Sequence, residues 1–113
     1  MPRKKPKAPQ SDQKYVLQII SDAAGEAVPI AGEYLVAFDV DGMKGRGTIA
    51  TSRDPRLART FDSEQEAEAL FMAVSTIKPL RDNGGPNQPL RQYHAEILTI
   101  AEALEKYRKE ENP

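Results

Sequence analysis

The 113-residue chain has room for one compact domain and a tail, and 29% charged with 39% hydrophobic residues is a polar but globular composition. No cysteine occurs, which excludes disulfides, thiolate metal sites and cysteine nucleophiles, and with aromatic residues at 6% the core must come mainly from Leu, Ile, Val and Ala. The formal charge of −1 is unevenly divided: residues 1–14 set five cations against Asp12, net +4, while the remainder sets 11 basic against 16 acidic residues, net −5.

The first segment, MPRKKPKAPQSDQ, combines three prolines with Arg3, Lys4, Lys5 and Lys7 and almost nothing apolar. It cannot bury enough surface to offset its ordering entropy, so residues 1–13 are expected to form a disordered basic arm and residues 14–113 a single folded domain. The arm has no apolar stretch of the kind a secretory signal carries, and no run in the chain approaches the roughly 18–20 apolar residues of a membrane helix. A cytoplasmic setting without a membrane partner is the expectation.

Order is predicted to begin at KYVLQIIS (14–21), where β-branched and aromatic residues are dense. Gly25, Pro29 and Gly32 then mark a loop. EYLVAFDV is the second predicted strand, with Tyr34, Val36, Phe38 and Val40 on one face and Leu35 and Ala37 on the other. DGMKG is hairpin-turn chemistry, since Asp-Gly tolerates positive φ, and RGTIATS should return antiparallel to the strand before it. RDPRLA is a further turn at Pro55, and RTF a possible short strand. The spacing Ser63-x-x-Glu66 is a capping box, and Ala67, Leu70, Phe71, Val74 and Ile77 recur three or four apart, so a helix is predicted over 63–77, ended by Lys78-Pro79. After an irregular proline- and glycine-rich stretch, residues 90–98 read two ways. Leu90, Tyr93, Ile97, Ile100, Leu104 and Tyr107 form a 3-4-3-4-3 seam suited to one long helix, whereas Tyr93, Ala95 and Ile97 alternate as in a strand. Strand followed by helix is preferred, with helix from Ile100 to about Lys109 in either case. The fold class is therefore α+β: a small antiparallel sheet packed against one main helix, plus a C-terminal helix.

LVAFDVDG (35–42) resembles the first motif of haloacid-dehalogenase-type phosphatases, in which the first Asp attacks phosphorus and the second moves a proton. The chain departs from that family after the motif. Met43 follows Gly42 where Thr or Val is the pattern, no acidic pair follows Lys78 in a strand-end context, and the family's parallel sheet needs crossovers of a dozen or more residues each. A strand entering a turn accounts for Asp39 and Asp41 more simply. A calcium loop fails because Met43 occupies the fifth position from Asp39, and GMKGRG lacks the G-x-x-x-x-G-K-[ST] of a phosphate loop. His94 is the sole histidine, without a G-x-S-x-G nucleophile elbow. No catalytic residue, metal ligand set or cofactor is assigned.

Two polar surfaces are candidates for binding. One is the loop KPLRDNGGPNQPLR, offering Lys78, Arg81, Asp82, Asn83, Asn87 and Arg91 with prolines that limit its freedom. The other is SRDPRLAR, where Arg53, Arg56 and Arg59 recur every three residues and suit carboxylate or phosphate groups. Without interleaved aromatics neither resembles a single-strand stacking platform.

The stretch from GEYLVAFDVDG through GRGTIATSRDP to IKPLRDNGGPNQPLRQYHAEI is similar to a type of small bacterial and prophage-encoded protein. In that type a strand, turn and helix precede an R-P-x-R-x-D-G-x-P-N-x-P-L-like loop and an apparent strand. The resemblance covers Glu33 to Ile97, favours strand before helix, and implies a phage or mobile-element setting without implying an activity. The expected function is non-catalytic binding of a protein partner, the host protein of such an element being one candidate, with homodimerisation through the C-terminal helix as a further contact. The alternative is a nucleic-acid-associated protein using Arg3, Lys4, Lys5 and Lys7 with the arginine loops.

Overall fold

The computed structural model describes residues 13–111. Arg3, Lys4, Lys5 and Lys7, and with them nearly all of the basic arm, lie outside the described residues. Within them, four strands form one antiparallel sheet: β1 (Tyr15–Asp22), β2 (Tyr34–Asp39), β3 (Thr48–Ser52) and β4 (Tyr93–Thr99), in the order β3-β2-β1-β4. Two helices, α1 (Glu64–Phe71) and α2 (Ile100–Glu111), and short 3-10 turns at Pro55–Leu57 and Pro89–Gln92 complete an α+β fold of the class expected.

β1 is central and apolar on both faces, as its YVLQIIS sequence requires. Leu17 on one face joins Leu35, Phe61, Ala67 and Leu90 in the larger core, on which Phe38, Ile49, Leu70, Phe71 and Ile97 also pack. Val16 on the other face joins Tyr34 and Ala103 of α2. The two helices thus contribute to separate cores. Burying each such aliphatic side chain contributes on the order of 1.5–3 kcal/mol before entropy is counted. Gln18 is the polar exception in the middle of β1, only 3% exposed. Its amide is satisfied on both sides: Nε2 donates to the Gly32 carbonyl at 3.0 Å and Oε1 accepts from Lys106 Nζ at 2.7 Å, which ties α2 to the sheet.

Three local expectations are corrected. First, a register shift between Leu35 and Ala37 interrupts the two-residue alternation of β2, so Phe38 packs on the same core as Leu35 and not with Tyr34. Second, α1 starts where the capping box places it, with Ser63 Oγ accepting from the Glu66 amide at 3.1 Å, but it stops at Phe71, six residues short of Ile77. Val74 and Ile77 are consequently exposed instead of extending the apolar stripe. Third, RTF contributes a single bridge, in which Phe61 and Tyr15 exchange two backbone hydrogen bonds of 2.9 Å, and not a strand.

Residues 93–99 are strand, and α2 follows directly. Thr99 and Glu102 explain the switch: Thr99 Oγ1 accepts from the Glu102 amide at 3.1 Å, while Glu102 Oε1 accepts from the Thr99 amide at 2.8 Å. This reciprocal capping box, TIAE, fixes the start of the helix. Ala103, a residue of α2 outside the predicted seam, is fully buried against the protein's own sheet. No helix among the described residues is long and apolar enough to cross a membrane.

Candidate binding groove

The turn between β2 and β3 organises the site. Asp39 Oδ1 accepts from the Asp41 amide at 3.0 Å, starting the turn as a short polar side chain commonly does. The chain then passes through Met43 (φ 51°, ψ 47°) and Lys44 (φ 58°, ψ 39°), both left-handed, a conformation that costs a non-glycine residue roughly 1 kcal/mol. Gly45 (φ 91°) and Gly47 (φ 84°) follow, and each permits a close approach. A Cβ on Gly45 would lie 2.7 Å from Lys78 Cβ, and one on Gly47 would lie 2.6 Å from Pro89 Cβ. The missing side chains let the turn seat itself directly on the 73–92 loop.

Asp41 then fastens the two together. Its carboxylate accepts from Ser75 Oγ at 2.9 Å, the Thr76 amide at 2.7 Å, the Ile77 amide at 3.3 Å and the Thr76 hydroxyl. These bonds, led by that of the Thr76 hydroxyl and opposed by desolvation, hold the Asp41 carboxyl below the ordinary carboxylate range. Ser75, 1% exposed, also accepts from the Lys78 amide at 3.1 Å, so donor and acceptor roles of its hydroxyl are both used. Asn87 closes the staple from the other side, its Nδ2 donating to the Gly45 carbonyl at 2.6 Å and the Lys78 carbonyl at 2.8 Å. The amides of Thr76 and Ile77 are held by a carboxylate more than 30 residues away in sequence, which is why α1 does not run on to Ile77. Asp39 and Asp41 therefore act as turn and loop anchors, the simpler of the two readings of the Asp-x-Asp pair.

This staple makes three depressions in series. The largest, about 710 Å³, is walled by the end of β1, the β2–β3 turn and the loop before β4, and Arg46, Arg81 and Arg91 line it. A second, about 260 Å³, shares Arg81, Gln88 and Arg91 with the first and adds Asn83. A third, about 470 Å³, shares Arg46 with the first and adds Met43, Lys44 and Lys78. Asp22 is the single carboxylate among the lining residues, and its Oδ1 is already taken by the amides of Ala24 (2.9 Å) and Glu26 (2.8 Å). Neighbouring amides are used for support: Gln88 Nε2 donates to the Met72 carbonyl at 2.9 Å, and Gln88 Oε1 receives Arg91 Nη1 at 3.4 Å. Gln92 Nε2 donates to the Pro89 carbonyl at 2.9 Å. The guanidinium groups, in contrast, form no ion pair with any described carboxylate. The arrangement can accept negatively charged groups, using charge-assisted N–H donors that no described carboxylate occupies.

Of the sequence candidates, Arg81, Asn83, Asn87 and Arg91 meet in this groove. Lys78 lines its third section and also pairs with the fully exposed Asp82 at 3.7 Å. Arg53, Arg56 and Arg59 do not line any of the three depressions. Arg56 is held against Asp54 by contacts of 2.7 to 3.2 Å and lies 5.7 Å from the centre of the Tyr107 ring, while Arg59 lies 5.3 Å from the centre of the Phe61 ring. The hydrogen bonds with Arg56 keep the Asp54 carboxyl low, and Asp54 in turn raises the Arg56 guanidinium. Sequence reasoning missed Arg46, Lys44 and Met43. Their signal was the glycine spacing of GMKGRG, which marks a close backbone contact and not a phosphate loop. His94 is exposed on β4, and no group of three or more His, Asp or Glu among the described residues is placed to hold a metal ion.

No protein-family model matches the chain, and neither the curated proteins nor the solved structures contain a match.

Proposed function

We propose that this protein is a non-catalytic binding module whose partner is another protein, engaged by the groove between the β2–β3 turn and the 73–92 loop. The single observation that carries the reading is the contrast inside the groove: its amide side chains are committed to internal hydrogen bonds, whereas among the described residues no partner takes the guanidinium donors of Arg46 and Arg81, and Arg91 has only a long contact to Gln88. Such cations, carried on an anchored backbone, suit acidic groups on a partner surface. The proline- and glycine-rich loop that presents them is anchored at both ends, so little ordering entropy is lost on binding. The resemblance to small prophage-encoded proteins supports an accessory factor that acts on a host protein.

The test is affinity capture from bacterial lysate by the full chain and by an Arg81→Glu/Arg91→Glu variant, with and without nuclease treatment. A protein retained after nuclease and lost with the variant is the expected result. Capture that disappears with nuclease would instead favour nucleic-acid association through the same cations. Capture indifferent to the two arginines would remove the groove from the account.

A further inference from the structure

The groove also indicates what kind of segment it takes. We infer that it binds an extended acidic peptide carrying an apolar residue, laid past Arg91 and Arg81, then Arg46, and ending at Lys44 and Met43; the inference rests on the reading of this face as a protein-binding surface.

Three observations converge. The cations are not gathered around one point, as an enclosed site for a single small anion would demand. Arg81 and Arg91 stand where the first and second depressions meet, and Arg46 stands where the first meets the third. Positive charge thus recurs along a path, which matches a ligand with negative charge recurring along its length. The second observation is the far end of that path. Met43 is 63% exposed and shares the third depression with Lys44, Arg46 and Lys78. An aliphatic thioether has little to offer a phosphodiester backbone, but it provides a soft, adaptable contact for an apolar side chain. The groove residues include no aromatic ring on which a base would stack. The third observation is strain. Glycine or asparagine would satisfy positive φ at positions 43 and 44 at lower cost, yet Met and Lys occupy them. The turn holds these two side chains outward although its backbone would be better served without them, a pattern expected of groups kept for contact.

Fluorescence anisotropy with the full chain tests this, using three labelled probes of equal charge. These are an acidic peptide of about ten residues with one Leu near an end, the same peptide with Gly in place of Leu, and a single-stranded oligothymidylate. The Leu peptide should bind with strongly salt-dependent affinity, and Arg46→Glu, Arg81→Glu and Arg91→Glu should each weaken it roughly tenfold or more. Met43→Gly, which relieves strain and removes the thioether, should weaken the Leu peptide about threefold or more and leave the Gly peptide unchanged. Arg53→Glu, outside the groove, serves as the charge control and should change affinity by less than about twofold. Circular dichroism melts establish that each variant is folded. Equal losses for Arg53→Glu and the groove variants, or tighter binding of the oligonucleotide than of either peptide, would overturn the inference. So would a Leu peptide that binds no better than the Gly peptide. If neither peptide binds but lysate capture still depends on Arg81 and Arg91, the extended-peptide inference fails alone; if that capture is also lost as a discriminator, the protein-binding reading fails with it.

Discussion

The protein contains two arginine-rich turns of similar appearance in sequence, and the fold treats them in opposite ways. In the SRDPRLAR turn, Arg56 is spent on Asp54 and Tyr107 and Arg59 on Phe61, so the cations serve the packing between the 3-10 turn, α2 and the edge of the core. In the groove, Arg46 and Arg81 come from separate segments brought together by Asp41 and Asn87, and their charges face a cavity. The lesson is that arginine spacing does not distinguish a structural from a recognition role. What distinguishes them is whether the fold pairs the guanidinium with a carboxylate or ring: Asp54 holds Arg56, whereas Asp82 beside Arg81 turns to Lys78 and no acidic residue of the described chain pairs with Arg46, Arg81 or Arg91.

Substitutions can break this contrast at several levels. The largest effect is expected from Asp41→Ala, which leaves the Ser75 hydroxyl and the Thr76 and Ile77 amides without their acceptor. Its melting temperature should fall by the widest margin of the set, and hydrogen exchange should accelerate at Thr76 and Ile77 while Leu17 stays protected. Unchanged protection at those two amides would show that the loop is held by something else. Gly45→Ala comes next, combining positive φ with a contact to Lys78 Cβ of 2.7 Å, and urea titration should report a loss of about 2–3 kcal/mol. Gly25→Ala, with similar φ but open space, should lose only about 1 kcal/mol. Equal losses would mean that the close seating of turn on loop contributes little.

A pH series sharpens the role of Asp41. Because hydrogen bonds lower its folded-state pKa below the unfolded value of about 4, its stabilisation is fully present above that value and is lost as pH falls through the folded pKa. The difference in melting temperature between the natural chain and Asp41→Asn should therefore be constant near neutrality and shrink in acid; a constant gap down to about pH 2 would contradict it. The smallest effects separate the two arginine sets themselves. Arg56→Ala should lower the melting temperature slightly and leave peptide binding intact, whereas Arg91→Ala should do the reverse.

Much of the fold is legible in the sequence because local signals decide it. The Ser63–Glu66 box sets the start of α1, the apolar density of YVLQIIS makes β1 central, and Asp39 with Gly42 marks the end of β2. The TIAE box at Thr99–Glu102 was equally local and would have resolved the strand-or-helix question at 90–98. What was not legible is long-range. Nothing near Phe71 announces that Asp41 will capture the backbone at 76–77 and end the helix. The bulge at Val36 moves Phe38 to the other face without a glycine or proline to signal it. Half of the groove was foreseen, since Arg81, Asn83, Asn87 and Arg91 share one loop. Arg46 was not, because its membership depends on Gly47 meeting Pro89, a contact between segments over 40 residues apart.

The place of β1 at the centre of the sheet has a consequence for how the molecule is made. Its long partner is β4, with registered pairs running from Tyr15–Thr99 to Asp22–Tyr93, while its registered pairing with β2 is confined to Gln18 and Tyr34. β1 must therefore wait for β4, which is separated from it by the whole stretch between Asp22 and Tyr93, before most of its backbone is satisfied. Loops this long are slow to close, so completion of the sheet should be gated by the arrival of residues 93–99. Nascent chains halted before Tyr93 should hold β2 and β3 as a hairpin with β1 still exposed to proteases and chaperones.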